Sequence, residues 1–190
     1  FVQSNINQFG ALAMAGCGSY SKIEGFGFIP VTCFSQALTT FIGQNLGAKE
    51  YERTKKGALF GTICGIGIAE VIGIAVFFFS PYLIAAFGGD QKAIEYGIAE
   101  AHTIAFFYCL LAFSHCMAAI QRGAGRSIVP MFVMMLVWCG VRVTYISIVI
   151  RIIPVINVIY WAYPLTWFIS SVMFLILFLK TDWIHGLEKQ

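Results

Sequence analysis

Apolar residues run through this chain in long unbroken stretches, and the charged residues collect between them. Gly25–Ala48 holds no Asp, Glu, Lys or Arg, Gly57–Gly89 is interrupted only by Glu70, and Ala101–Gln121 carries two histidines but no full charge. Ser127–Ile150 is interrupted only by Arg142, and Ile152–Leu179 is clean. Each stretch reaches the roughly 20 residues that a helix needs to cross a bilayer core. Strands of a membrane barrel would alternate apolar and polar residues, and Phe174-Leu175-Ile176-Leu177-Phe178-Leu179 does not. The pattern predicts an all-α, polytopic membrane helix bundle forming a single unit over residues 1–190. Its five full transmembrane helices are expected at about 20–45, 57–80, 98–121, 128–150 and 157–179, with the end of a sixth ahead of them. Phe1–Phe9, with Gln3, Ser4, Asn5, Asn7 and Gln8, reads as the tail of that helix, and Gly10–Gly18 as a Gly/Ala-rich turn. It lacks the basic opening of a signal peptide. The chain reads as a fragment, or as half of something larger.

Composition agrees and narrows the classes. Charged residues make up 11% of the chain and hydrophobic ones 59%, with a mean hydropathy of +0.81. Soluble domains carry about a quarter charged residues, so a soluble enzyme, a disordered tail and a nucleic-acid module are excluded. The net charge of +3 matters through its placement. Lys49, Arg53, Lys55, Lys56, Arg122, Arg126, Lys180 and Lys189 fall on one side of the predicted topology, against Lys22, Lys92 and Arg151 on the other. Basic residues gather on the cytoplasmic side, so the Lys49–Lys56 loop, the Arg122–Arg126 loop and the C-terminus are expected inside, in a plasma (inner) membrane protein. Tyr160, Trp161 and Tyr163, and Trp183 beyond the last span, fit aromatic belts. The cysteines at 17, 33, 64, 109, 116 and 139 form no Cys-x-x-Cys pair and read as small hydrophobes.

Within the spans, Gly57, Gly61, Gly65, Ala69 and Gly73 recur every fourth residue and mark a close helix contact. Pro30 and Pro164 sit inside spans and permit kinks. Ionisable and polar groups at membrane depth are functional candidates. Glu70 and Arg142 lie mid-span and are candidates to pair with one another. Glu24 is expected near the outer edge of the core beside Lys22. Tyr108 and His115, seven residues apart, share a helix face. Gln36, below Pro30, is expected to bond a neighbouring helix. No motif of an enzyme or of a metal site is present, so neither catalysis nor a cofactor is expected.

Three stretches carry a family resemblance. The first is Ser21-Lys22-Ile23-Glu24 leading to Pro30. The second is Gly43-Gln44-Asn45-Leu46-Gly47-Ala48-Lys49 with Arg53, and the third is Arg122-Gly123-Ala124-Gly125-Arg126 with Pro130. In this order and spacing the chain resembles the multidrug and toxic compound extrusion (MATE) antiporters, over essentially its whole length. The resemblance implies the C-terminal half of a twelve-helix exporter, with residues 1–9 ending the seventh helix. It implies exchange of Na⁺ or H⁺ for bulky amphiphilic, often cationic, small molecules by alternating access, with the N-terminal lobe and the lipid bilayer as partners and no nucleic acid. Many members carry a carboxylate midway along the tenth helix. Phe106–Phe113 has none, so Glu24 and His115 remain as ionisable candidates near a central cavity. Two other readings stand beside this one. A flippase for polyprenyl-linked saccharides would share the bundle but need a markedly cationic cavity for pyrophosphate. An intramembrane enzyme or a structural subunit would need a catalytic constellation or a partner-specific domain.

Overall fold

The computed structural model describes residues 2–181, 183 and 184. Helix α1 (Val2–Ile6) and a 3₁₀ turn (Asn7–Phe9) lead to α2 (Ala11–Gly47) and α3 (Tyr51–Ala85). The third span is built from α4 (Gln91–Ile104), a 3₁₀ turn (Ala105–Phe107) and α5 (Tyr108–Gly123). The fourth joins α6 (Ile128–Met134) through a π-helical stretch (Met135–Val141) to α7 (Arg142–Ile152), and α8 (Asn157–Lys180) is the fifth. All five are long and apolar enough to cross a membrane. No strand occurs among the described residues.

Two expectations need correcting at the N-terminal side. The Gly10–Gly18 segment is not a turn: Gly10 alone bends the chain, at φ 98°, and the helix runs from Ala11. Gly16 explains the glycine content, because a Cβ there would clash with the Ala93 carbonyl. Its smallness serves a helix crossing, not a bend. The third span likewise starts at Gln91, with Asp90 capping it through a 2.9 Å bond from the Lys92 amide. Phe1 and Lys189 lie outside the described residues.

Helix α2 lies at the centre, against α3, α4 and α5. The glycine stripe on α3 is a packing seam. A Cβ at Gly61 would stand 2.8 Å from Leu38 Cδ1, one at Gly65 2.8 Å from Cys116 Sγ, and one at Gly73 would meet the Ala105 carbonyl. Ala69 is fully buried in the same row. Where the surrounding solvent is hydrocarbon, such close backbone approach replaces the hydrophobic drive that folds soluble bundles.

Two of the sequence motifs are helix terminators. After α2 the Glu50 amide donates to Asn45 O at 2.9 Å and Lys49 adopts φ 61°. After α5 the Arg126 amide donates to Gln121 O at 2.9 Å and Gly125 adopts φ 78°. Both are the left-handed C-cap that returns orphan carbonyls to bonding. Asn45 adds a 2.7 Å bond from its Nδ2 to Phe41 O. Gln44 is exposed, its carbonyl accepting from the Ala48 amide at 3.0 Å, and Gly47 meets nothing. Gly43 and Gly123 face one another where α2 crosses α5. Pro30, Pro81 and Pro164 all lie within unbroken helices.

Candidate functional site

Spacing on α2 sets the site. Cys17, Tyr20 and Glu24 fall at i, i+3 and i+7, hence on one face, and Ser21, Glu24 and Phe28 line an adjoining cleft. Across from them stand Leu111 on α5, Trp138 and Arg142 on the fourth span, and Tyr163 and Trp167 on α8. The cleft measures about 320 Å³.

Arg142 is anchored on its far side. Its Nη2 donates to Thr166 Oγ1 at 2.7 Å, and the guanidinium carbon sits 4.3 Å from the Tyr163 ring centre and 5.7 Å from that of Trp138. These cation–π contacts replace much of the hydration that the charge gave up. The Arg142 Nε and Trp138 Nε1 atoms are buried without a partner among the described residues. Glu24 and Arg142 are in electrostatic range of each other, but they do not close into an ion pair. The cleft therefore holds one carboxyl and one guanidinium group, spaced apart and lined by aromatic rings.

A second carboxylate lies deeper. Glu100 on α4 is 3% exposed and its Oε2 has no partner among the described residues. Cys17 faces it, and the Cys17 Sγ is 3.5 Å from the Tyr160 hydroxyl, which donates to Tyr96 O at 3.3 Å. Between the two carboxylates the Tyr20 and Tyr108 hydroxyls meet at 3.0 Å, within electrostatic range of both Glu24 and Glu100. A buried carboxylate is costly unless paired, so this one marks a place where a cation or proton would be welcome.

The sequence candidates separate on inspection. Glu24 is no interfacial charge paired with Lys22: it lines the cleft, while Lys22 Nζ lies over the Phe87 ring at 5.2 Å. Glu70 does not pair with Arg142. Its Oε2 accepts from the Cys109 amide at 3.2 Å, one of the amides freed where the 3₁₀ turn breaks the third span. Tyr108 belongs to the hydroxyl pair, but His115 stands apart from it, edge-on to Phe28 at 5.1 Å and to Trp138 at 5.6 Å, its Nε2 buried and unpartnered among the described residues. Gln36 is exposed and bonds no other helix. Its neighbours on the buried face do that work, Ser35 donating to His115 O at 3.2 Å and Thr39 to Ala119 O at 3.2 Å. Arg122 donates to Ser35 Oγ at 3.1 Å, which ties the Arg122–Gly123–Gly125 motif to the same crossing. Glu100 is not singled out by the sequence, because hydropathy starts the third span at about residue 98 whereas the helix starts at Gln91. An i, i+4 pair of Tyr96 and Glu100 ahead of an apolar run was the available signal. Among the described residues no group of three His, Cys, Asp or Glu stands close enough to hold a metal ion.

The fold and the motifs agree with comparison to known proteins, since the MatE family matches residues 1–153. The chain belongs to the MatE family. Among curated MatE-type relatives it is 30% identical over 124 residues to the probable multidrug resistance protein NorM of Thermotoga maritima, covering 65% of this chain and 27% of that protein. It is 24% identical over 124 residues to the probable multidrug resistance protein YpnP of Bacillus subtilis. In three dimensions it superposes on a MATE transporter, ClbM, solved with Rb⁺, at a TM-score of 0.88 and 17% identity, covering 98% of this chain and 44% of that one. A MATE structure in a bent conformation gives 0.88 at 20% identity, with 95% and 41% covered. The chain thus spans about two-fifths of the length of these solved MATE proteins.

Proposed function

We propose that this chain is one lobe of a secondary active efflux transporter, exporting amphiphilic cationic compounds in exchange for Na⁺ or H⁺ by alternating access. The observation that carries this reading is the cleft. A carboxylate, Glu24, shares a cleft with the aromatic side chains of Phe28, Tyr163, Trp138 and Trp167, a setting suited to an amphiphilic cation. A pyrophosphate-carrying lipid would need several converging cations, and Arg142 stands alone against Glu24. Glu100 supplies the coupling carboxylate. A Na⁺ ion or proton there changes the charge felt through the Tyr20–Tyr108 pair at Glu24, so ion and substrate compete across one connected network. In this reading the N-terminal lobe is the partner that closes the cleft, and the basic residues of the Lys49–Lys56 loop support a cytoplasmic position for that end in a plasma-membrane protein.

The test uses the complete transporter in vesicles with an imposed Na⁺ or H⁺ gradient and a fluorescent dye cation. Glu24→Gln is expected to weaken dye binding about tenfold, a loss of roughly 1.4 kcal/mol. Glu100→Gln is expected to leave binding intact and abolish gradient-driven efflux. Wild-type binding in the first variant together with wild-type efflux in the second would end the proposal.

A further inference from the structure

Apart from the Glu24–Arg142 cleft, α3, α5 and α8 leave a crevice of about 400 Å³ between them. Its walls are Leu59, Phe113, Met117, Leu175 and Phe178, and Trp183 closes one end by stacking on Phe178 at 5.2 Å. Among the described lining residues, Lys55 and Thr62 carry polar side-chain ends. Thr62 is spent, its hydroxyl donating to Ala58 O at 2.8 Å. That leaves Lys55 as the one charged group among the described lining residues, with its side chain 50% exposed and its Nζ 3.1 Å from Glu52. Water has nothing to bond inside such a space, and an empty void would forfeit the dispersion contacts of its lining. At membrane depth the available filler is hydrocarbon.

The charges at its mouth select which hydrocarbon. Lys55 lines the crevice from the second turn of α3, Lys56 follows it, and Lys180 ends α8 two residues beyond Phe178, so basic residues gather at this end of the bundle. Basic pockets between membrane helices attract anionic headgroups. We propose that the crevice binds one acyl chain of an anionic phospholipid, whose phosphate is held at Lys55. The exposed Glu52 competes for the same ammonium, so it tunes the site against the lipid.

The complete transporter, in nanodiscs of equal phosphatidylglycerol and phosphatidylcholine with identical acyl chains, is released into a native mass spectrometer and its retained lipids are counted. Phosphatidylglycerol is expected to be retained over phosphatidylcholine by about fivefold, the factor that roughly one lysine carries at an anionic surface. Lys55→Gln should bring the two lipids to parity, and Glu52→Gln should raise the preference. Leu59→Trp, which fills the crevice from a position already facing lipid, should reduce retention of both lipids. Inorganic phosphate alone should not displace the lipid. Four results would overturn the site: equal retention in the wild type, a preference untouched by both charge variants, displacement by phosphate alone, or lipid-free dimers in place of lipid adducts.

Discussion

Arg142 and Glu24 share a cleft without touching, and this spacing makes them separable by mutation. Arg142 keeps Thr166 and the Tyr163 ring whether or not Glu24 is charged, whereas Glu24 has Arg142 as its nearby cation. Losing the cation strands the carboxylate, and losing the carboxylate strands little. Arg142→Met is therefore expected to lower the unfolding midpoint in detergent more than Glu24→Gln does. The double variant should recover part of the loss, with a coupling of about 0.5–3 kcal/mol. Strict additivity of the two single effects would show that no interaction crosses the cleft. At this scale the sequence said which residues are unusual but not where they point. Glu24 and Arg142 stood out because a charge in an apolar run is costly. Their common cleft, the hold of Thr166 on Arg142 and the diversion of Glu70 to a backbone amide all depend on how helices turn about their axes, which spacing within one helix leaves open.

Helix crossings are fixed by glycines whose missing side chains are occupied by a neighbour's backbone. A Cβ at Gly97 would stand 2.8 Å from Gly16 O, and one at Gly123 2.7 Å from Thr39 O, while Gly67 faces open space. Gly97→Ala and Gly123→Ala are each expected to cost about 1–3 kcal/mol by forcing α4 and α5 off α2. Gly67→Ala should instead be neutral or stabilising by roughly 0.5–1 kcal/mol, through helix propensity. Thermal unfolding of the three variants in one detergent checks the contrast, and equal losses would mean that composition, not crossing geometry, sets their effect. The four-residue stripe on α3 was legible because its period matches the helix. The crossing at Gly16 was misread as a turn for lack of any such period: clustered glycines signal both bends and close approach, and only the partner helix tells them apart.

At the scale of the molecule, the five spans and the short turns between them were plain from hydropathy, since a membrane core admits few alternatives to the helix. Breaks inside spans were not, because neither the 3₁₀ turn at Ala105–Phe107 nor the π-helical stretch at Met135–Val141 carries a distinctive residue. Those breaks set where Glu70, Tyr108 and Arg142 end up. Transporter sites normally lie between paired repeats, and the proposed function calls for a second lobe across the cleft. Reconstituted by itself, the 190-residue chain is expected to insert into vesicles yet move no dye under a Na⁺ or H⁺ gradient, and sustained uphill efflux from it would contradict the two-lobe reading.

The π-helical stretch can also be understood as a phase correction. Val137 packs with the residues around Phe174, and Ile146 with those around Tyr160. Nine residues separate them, about two and a half turns of a regular α-helix, which would send the two side chains to opposite sides. The extra residue held in Met135–Val141 takes up part of that angle, so one helix keeps time with two different parts of the core. Removing a single residue there, most simply Gly140, where even a Cβ would meet nothing, would relax the stretch to regular α-helix with Val137 and Ile146 both in step. Adding a second residue would instead rotate everything after it by roughly 100°. With the added residue Ile146 would lose its partners and Arg142 would swing out of the cleft together, so one insertion should show as lost stability and lost dye binding at once, while the deletion keeps both.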